Sequence, residues 1–463
     1  MNEQLNDLMK ALEAGQYNAA PGSLTQGSAL QIEDLSNVME VVTFDDAELK
    51  LQKMFPVKDC KSTLVQFNRQ LDYGIFGGSA QYEGGIGEED TSNFVRAIVP
   101  MCFYSTTRRV SVAANLIGAF DGVKAEDRAG NDAAEKLAAD IEFDSFRGQA
   151  DYSNAGIFDG NPGVMAAMPN MIGVDAQIRM SDALANTQDL MFAEYGSNQS
   201  VVIPVNGTLT QSFIEDAAVK SAMNHGKADS LILDPISLSA YNKIAHAKER
   251  IVLAGSAQEG IGAHLRTQWT SSAVVKMEPS RFLSGKTAPA RARAGSPAAP
   301  ATFTATHPAN PSSVLAAGSY MYTATACNER GESVAIALAV AIAPAAGDSV
   351  LLAIAAVSGA KYFNIYRSED GGTAASAKYI GRVIANGSGS TAFVDLGMKS
   401  PGFVTGFLLQ SKGWEFHQLA AYSRLKLAIS DLSLPEAHYR FLTLAGRSPR
   451  KNCLLDNIDG QLA

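Results

Sequence analysis

The sequence predicts an α+β protein interrupted by an all-β sandwich, and three observations carry that prediction. Lys124 to Arg147 is Ala-rich, free of Pro and long enough for a major helix. Seven short strand-like runs separated by turn residues crowd Ala301 to Gly402. Beyond Gly402, mixed strand and helix signals resume over residues 403–463, so the sandwich reads as inserted into a host domain and not appended to it.

In chain order, Leu5, Leu8, Met9 and Leu12 recur at i, i+3, i+4 and i+7, one face of a short helix ended by Gly15. Ala20 to Asp59 is irregular and reads as an extended arm. Residues 1–60 hold 10 acidic and 4 basic side chains, a net of −6 out of −9 for the whole chain. Lys61 to Val112 then gives strand-like stretches, Ser62 to Gln70 and Phe94 to Val112, around Gly74, Gly77, Gly78, Gly84, Gly85 and Gly87. Two long strands joined by a pliable tip describe a long hairpin. Such a hairpin cannot bury a core of its own. It needs a neighbour to cover Phe67, Leu71, Ile75 and Phe76, and with Tyr82 these are the candidate inter-subunit contacts. A loop folded back on its own domain is the alternative, and the pattern leaves both open.

Lys124 to Arg147 carries an acidic first turn, Glu126 and Asp127, and an apolar stripe of Ala134, Leu137, Ile141 and Ser145, with Gly148 as its stop. At 1.5 Å per residue it spans roughly 35 Å, enough to brace a sheet. Asp140, Glu142 and Asp144 alternate near its end, where a spacing of two puts them on different faces; a solvated set is expected and not a metal cluster. Residues 149–207 have loop character, with a short helix expected at Asp182 to Tyr195. A helix from Gln211 to His225 capped by Gly226, a strand at Ser230 to Leu233, a turn at Asp234-Pro235, a helix from Ser237 to Ala247 and a strand at Ala273 to Met277 follow. At Ser284 the composition changes to the Pro- and Ala-rich linker GKTAPARARAGSPAAPA.

The strands of the insertion are expected at Thr302–Thr306, Ser319–Ala326, Val334–Ile342, Ser349–Val357, Tyr362–Arg367, Lys378–Ile384 and Thr391–Val394, with turns at Asn328-Glu329-Arg330-Gly331 and Asp370-Gly371-Gly372. That number and spacing fit an immunoglobulin-like or fibronectin-III-like sandwich without a stapling disulfide. Tyr320, Tyr322, Tyr362 and Tyr366 sit at spacing that suits a core, and the segment has no Trp, which disfavours a glycan-binding aromatic platform. Six acidic and six basic residues make it neutral. Its connections at Gly295-Ser296-Pro297 and Ser400-Pro401-Gly402 both carry Pro and Gly, so it is expected to be autonomous, and a neutral module has no electrostatic reason to face nucleic acid, so it is expected to face outward.

Composition excludes several classes. With 46% hydrophobic and 18% charged residues the chain is globular and charge-poor, and its net charge of −9 disfavours binding to phosphate backbones or anionic membranes. Cys60, Cys102, Cys327 and Cys453 are too scattered for a disulfide framework or a zinc site. The amino terminus lacks a secretory pattern, and the most apolar run, 13 residues from Val334 to Ala346, falls short of the roughly 20 that span a bilayer. Ser284-Gly285-Lys286-Thr287 lacks the first glycine of a phosphate loop and the helix that must follow it. The six histidines show no catalytic spacing, and no enzyme, cofactor or metal is expected.

This order of parts resembles the major capsid proteins of tailed bacteriophages, the Hong Kong 97-like fold. The strand, Asp-Pro turn and helix in ADSLILDPISLSAYNKIAHAKE (228–249) are similar to the axial domain of that family. SVAANLIGAF, IEFDSFRGQADYS and YRFLTLAGRSPRKNCLLDNI look like large-myovirus capsid proteins with an immunoglobulin-like insertion. The resemblance implies an N-terminal arm (1–60), an extended loop (61–113) and a peripheral domain (114–225) containing the spine helix 124–147. An axial domain (226–290), the immunoglobulin-like insertion (296–402), an axial return (403–435) and a peripheral return (436–463) complete it. It further implies hexamers and pentamers of this chain in an icosahedral head that encloses double-stranded DNA and is assembled in the host bacterial cytoplasm. Scaffold, portal and decoration proteins would be its other partners, and no membrane is involved. A cellular nanocompartment shell, or a glycan-binding adhesin or tail protein carrying the sandwich, are the rival readings.

Overall fold

A computed structural model of the chain describes residues 48–70, 73–74, 79–87, 89–92, 94–117, 124–148, 170–183, 200–246, 267–284, 295–328, 330–387, 389–429 and 431–459. The expected helix at Leu5 to Leu12, most of the arm, the Gly285-Lys286-Thr287 motif and the candidate contacts Leu71, Ile75 and Phe76 lie outside them. The described chain is mixed α+β. Its α-helices are α1 (Leu51–Met54), α2 (Val112–Leu116), α3 (Ala125–Arg147), α4 (Val174–Ala183), α5 (Gln211–Met223) and α6 (Pro235–His246).

Helix α3 is the element that the sequence marks most clearly. Ala133, Leu137 and Ile141 are buried one turn apart, and the helix packs on β4 (Cys102–Ser111) and β19 (Ser433–Gly446). It stops at Gly148, where a side chain would meet the Met171 carbonyl at 2.1 Å. Those two strands belong to a long sheet in the order β1 (Val57–Asp59), β18 (Trp414–Lys426), β19, β4. The last residues of the expected arm are therefore docked: β1 pairs in parallel with β18, and Phe55 is buried against the rings of Trp414 and Phe416.

The expected strand Phe94 to Val112 is in fact two. Its first half, β3 (Phe94–Pro100), pairs only with β2 (Leu64–Gln70), whereas β4 leaves for β19. Both halves alternate with period two, so their pattern reads as continuous. The break falls after Pro100, which has no N–H for a ladder, and the Met101 N–H turns to the Thr63 carbonyl at 2.9 Å.

A six-stranded sheet runs β5 (Val202–Gly207), β20 (Cys453–Asp459), β17 (Phe403–Leu409), β6 (Ser230–Leu233), β8 (Val274–Pro279), β7 (Thr267–Trp269). The expected strand, turn and helix around Asp234-Pro235 are present as β6 and α6. Helix α5 ends two residues earlier than expected. His225, at φ +59°, is the left-handed residue of its cap, while Gly226 is required by close approach, since a side chain there would meet the Lys451 carbonyl at 2.5 Å. Among the described residues from 403 to 459 there is no α-helix, and the apolar runs are strands. β5 and α5 lie with the six-stranded sheet and its core, residues 435 and 436 both fall inside β19 near its start, and β17 and β20 are neighbours in one sheet.

Residues 301–396 form two antiparallel sheets around one apolar core that includes Tyr322, Leu352, Ile354, Phe363 and Ile365. One is β11 (Gly331–Glu332), β10 (Tyr322–Asn328), β14 (Tyr362–Arg367), β15 (Lys378–Ile384), with β12 (Ile336–Ala337) also on β10; the other is β16 (Thr391–Asp395), β13 (Val350–Ile354), β9 (Phe303–Thr306). The expected strand Val334 to Ile342 joins a ladder only at Ile336 and Ala337, with an isolated bridge from Ile342 to Tyr320. Buried Glu332 accepts from Thr325 Oγ1 (2.5 Å), Asn364 Nδ2 (2.8 Å) and Tyr366 Oη (2.6 Å), so its carboxylate is satisfied inside the core.

Candidate assembly surfaces

The β2–β3 ribbon has two unlike faces. Val65, Arg69, Ala97 and Val99 are buried on its own chain, while Leu64, Phe94 and Ile98 are exposed on the other side. Phe67 belongs to the inward set: it packs on a cluster of Val99, Ile172, Ala176 and Met180, with the Arg69 guanidinium 5.3 Å from its ring centroid. Within this chain, then, Phe67 meets α4, which matches the folded-back alternative that its pattern left open. Tyr82 is 96% exposed near the glycine-rich tip, where Tyr73 and Ile86 are equally bare. Of the five candidates, then, one faces inward, one is free at the tip, and three lie outside the described residues.

A second surface escaped the sequence reading. At the far end of the long sheet, Leu425, Leu427, Ile429 and Leu432 from the β18–β19 connection are exposed. The Leu432 carbonyl accepts from the Val112 N–H at 3.1 Å, bringing α2 alongside. Leu116 there is 81% exposed and Leu432 86%. Single apolar residues are ordinary on a surface; here four lie along one connection, with Leu116 on the helix beside it. Its borders are charged: Arg424 reaches Glu126 (2.7 Å) and Glu436 (2.5 Å), Lys426 reaches Glu126 (3.0 Å), and Arg109 reaches Asp431 (3.0 Å). The signal was the alternation in RLKLAISDLSL, which on sequence alone matches any half-buried strand.

Helix α3 carries the joints between these surfaces, and here two of the three expected solvated carboxylates prove buried. Glu142 accepts from the backbone N–H groups of Lys50 (2.8 Å), Leu51 (2.7 Å) and Gln52 (3.1 Å), holding the first turn of α1 by its orphan donors. Burial pushes its carboxyl above the ordinary range despite those bonds. Asp144 accepts from Tyr104 Oη (2.8 Å) and from Asn170 Nδ2 (3.2 and 3.1 Å), tying α3 to β4 and to the segment before α4. A carboxylate fits both sites because each offers convergent N–H or O–H donors, which apolar periodicity does not encode.

Burial raises the Asp144 carboxyl from 3.8 to about 6; Arg382 and the Tyr104 and Asn170 bonds pull it down, and Asp140 pushes it up. A raised acid binds its proton more tightly in the folded state, so stability falls as pH rises through the interval from about 4 to 6. Relative to Asp144→Asn, the natural protein is expected to gain about 1 kcal/mol between pH 7 and pH 5. Urea unfolding of both proteins at the two pH values measures it, and a difference independent of pH would count against the assignment.

His438, expected to be satisfied or solvated, is buried with Nδ1 2.8 Å from Tyr422 Oη. Among the described residues, no group of three or more His, Cys, Asp or Glu is placed to hold a metal, and no helix is long and apolar enough to cross a membrane.

No family model matches the chain. It is similar to the major capsid proteins of Staphylococcus phages K and S25-3, each 21% identical over 280 residues, or 60% of this chain and 54% of theirs. It thus spans about half the length of the relatives it matches. Among solved structures it is similar to the capsid of a native GTA particle, 12% identical with a TM-score of 0.47, over 96% of this chain and 100% of that one. In sequence, then, the chain is similar to phage proteins named major capsid protein.

Proposed function

We propose that this chain is the major capsid subunit of a tailed phage, with a Hong Kong 97-like fold, building a closed icosahedral head from hexamers and pentamers of itself around double-stranded DNA. The carrying observation is the pair of bare apolar extremities, the outer face of the β2–β3 ribbon and the Leu425–Leu432 end of the long sheet, on a chain whose sequence relatives are capsid proteins. Obligate interfaces of roughly 2,000 Å² or more are built from surfaces that cannot remain in water alone. In this reading β2–β3 is the extended loop and α3 the spine helix, with the long sheet as peripheral domain and the six-stranded sheet as axial domain. Residues 296–402 are an immunoglobulin-like insertion. The role is structural and not catalytic, and its setting is the virion, assembled in the host cytoplasm with scaffold, portal and decoration proteins as further partners.

An acidic subunit suits a lumen that confines DNA without gripping it. A nanocompartment would use the same shell, but the sequence relatives are phage capsid proteins. The adhesin reading is disfavoured because Tyr320, Tyr322 and Tyr366 are buried in the sandwich. Expression of the full chain followed by sedimentation and negative-stain microscopy is expected to give closed shells or capsomer rings. A chain that stays monomeric at high concentration would overturn the proposal.

A further inference from the structure

The sandwich is fastened to the rest of the chain far more closely than its Pro- and Gly-bearing connections require. Arg382, on β15, lies with its guanidinium 5.2 Å from the ring centroid of Phe143 on α3 and 5.3 Å from that of Tyr362 on β14. The contact is reciprocated: Arg147, at the end of α3, lies 5.7 Å from the ring centroid of Tyr379 on β15. Each element thus offers the other one cation and one aromatic face, and Arg382 is nearly enclosed, at 8% exposure. Its charge also faces Asp144 on the same helix.

Two residue pairs further along, Tyr362 and Ile384 are opposite each other on β14 and β15, and both pack on the cluster of Val99, Ile172, Ala176 and Met180 that also receives Phe67. Spine helix, α4, hairpin root and sandwich therefore meet at one joint. Elsewhere the sandwich and the end of the six-stranded sheet are parted by a cleft of about 660 Å³ between Tyr320, Arg367 and Asp370 on one side and Phe403 and Asp459 on the other. Beside that cleft Asn457 of β20 holds the exit segment, accepting from the Ser400 N–H (3.1 Å) and donating to the Met398 carbonyl (2.9 Å), while the packed joint at Arg382 holds the body of the sandwich and so sets its angle.

We propose that the sandwich is a brace that sets the angle of the β2–β3 hairpin against α3, with Arg382 as its pin. A two-stranded ribbon is marginal by itself, and this one owes its inward face to a cluster that the sandwich helps to close. The role does not depend on whether the chain builds a shell, so its test stands apart from that of the capsid proposal.

The test is hydrogen exchange of the full chain, natural and Arg382→Ala. Amides of residues 64–70 and 94–100 are expected to exchange about tenfold faster in the variant, while those of β6 and β20 keep their protection. Arg382→Lys, which keeps the charge without the planar face, is expected to exchange faster at the root as well. Unchanged root exchange in a folded Arg382→Ala protein would overturn the proposal, as would equal acceleration in every sheet, which signals general destabilisation. Should Arg382→Ala fail to fold, Phe143→Leu removes the stacked ring while keeping an apolar side chain, and the same two outcomes decide.

Discussion

Replacing Ile141 by Asp is expected to abolish soluble, folded chain. Ile141 has no exposed surface and lies in the core shared by the six-stranded and long sheets, with Leu137 one turn before it on the same face of α3. The substitution forfeits a buried Ile, roughly 1.5–3 kcal/mol, and places an unpaired carboxylate where no donor waits. Glu142 and Asp144, immediately beside it, are tolerated because each has its own donors, and position 141 has none to share. The combined loss, about 5 kcal/mol or more, rivals the whole stability of an ordinary domain. Asp132→Ala, on the exposed side of the same helix, is expected to stay within about 0.5 kcal/mol of the natural protein. The soluble fraction on expression and urea unfolding of both variants provide the comparison; a soluble Ile141→Asp protein of normal stability would mean that the helix faces another way.

Changing Leu425, Leu427, Ile429 and Leu432 together to Ser is expected to leave the subunit folded and stop it assembling. All four are exposed in the single chain, so their removal costs its stability little. Across an interface, burying even two or three of them contributes about 5 kcal/mol, more than a thousandfold in association. Thermal melting should therefore be nearly unchanged while sedimentation shows only small species. Shells forming at the natural protein's concentration would rule this surface out as an assembly contact.

How far the sequence foretells this molecule depends on whether a segment's neighbours are written into its own pattern. β6, β14 and β15 fall on the expected residues because each is a short apolar run ended by a turn residue, and α3 because its composition favours helix along its length. Helix α4 was missed. Nearly every side is buried, and its polar residues are inside with partners far away in sequence: Gln177 bonds the Leu444 carbonyl and the Gly446 N–H, and Arg179 pairs with Asp175 and Asp456. Its apolar residues face two ways, Val174 and Ile178 into the main core and Ala176 and Met180 into the cluster under Phe67, so no single stripe marks the helix. Phe67 shows the converse, since alternation correctly gives it an apolar neighbour but cannot say whether that neighbour is α4 or another subunit.

The strand order carries a consequence for the timing of synthesis. β20 and β17 are inner strands of the six-stranded sheet and β18 and β19 the middle of the long one, so each sheet lacks two inner strands until residues 403–459 have been made. A nascent chain emerging from the ribosome can complete the sandwich, whose strands are local, but β5 must wait for a partner about 250 residues downstream and β1 for one about 360 downstream. A truncated or stalled product therefore exposes sheet edges without ever presenting a finished assembly surface. In the capsid reading proposed above, chains stopped before these strands could not join a lattice, a selection that needs no separate factor.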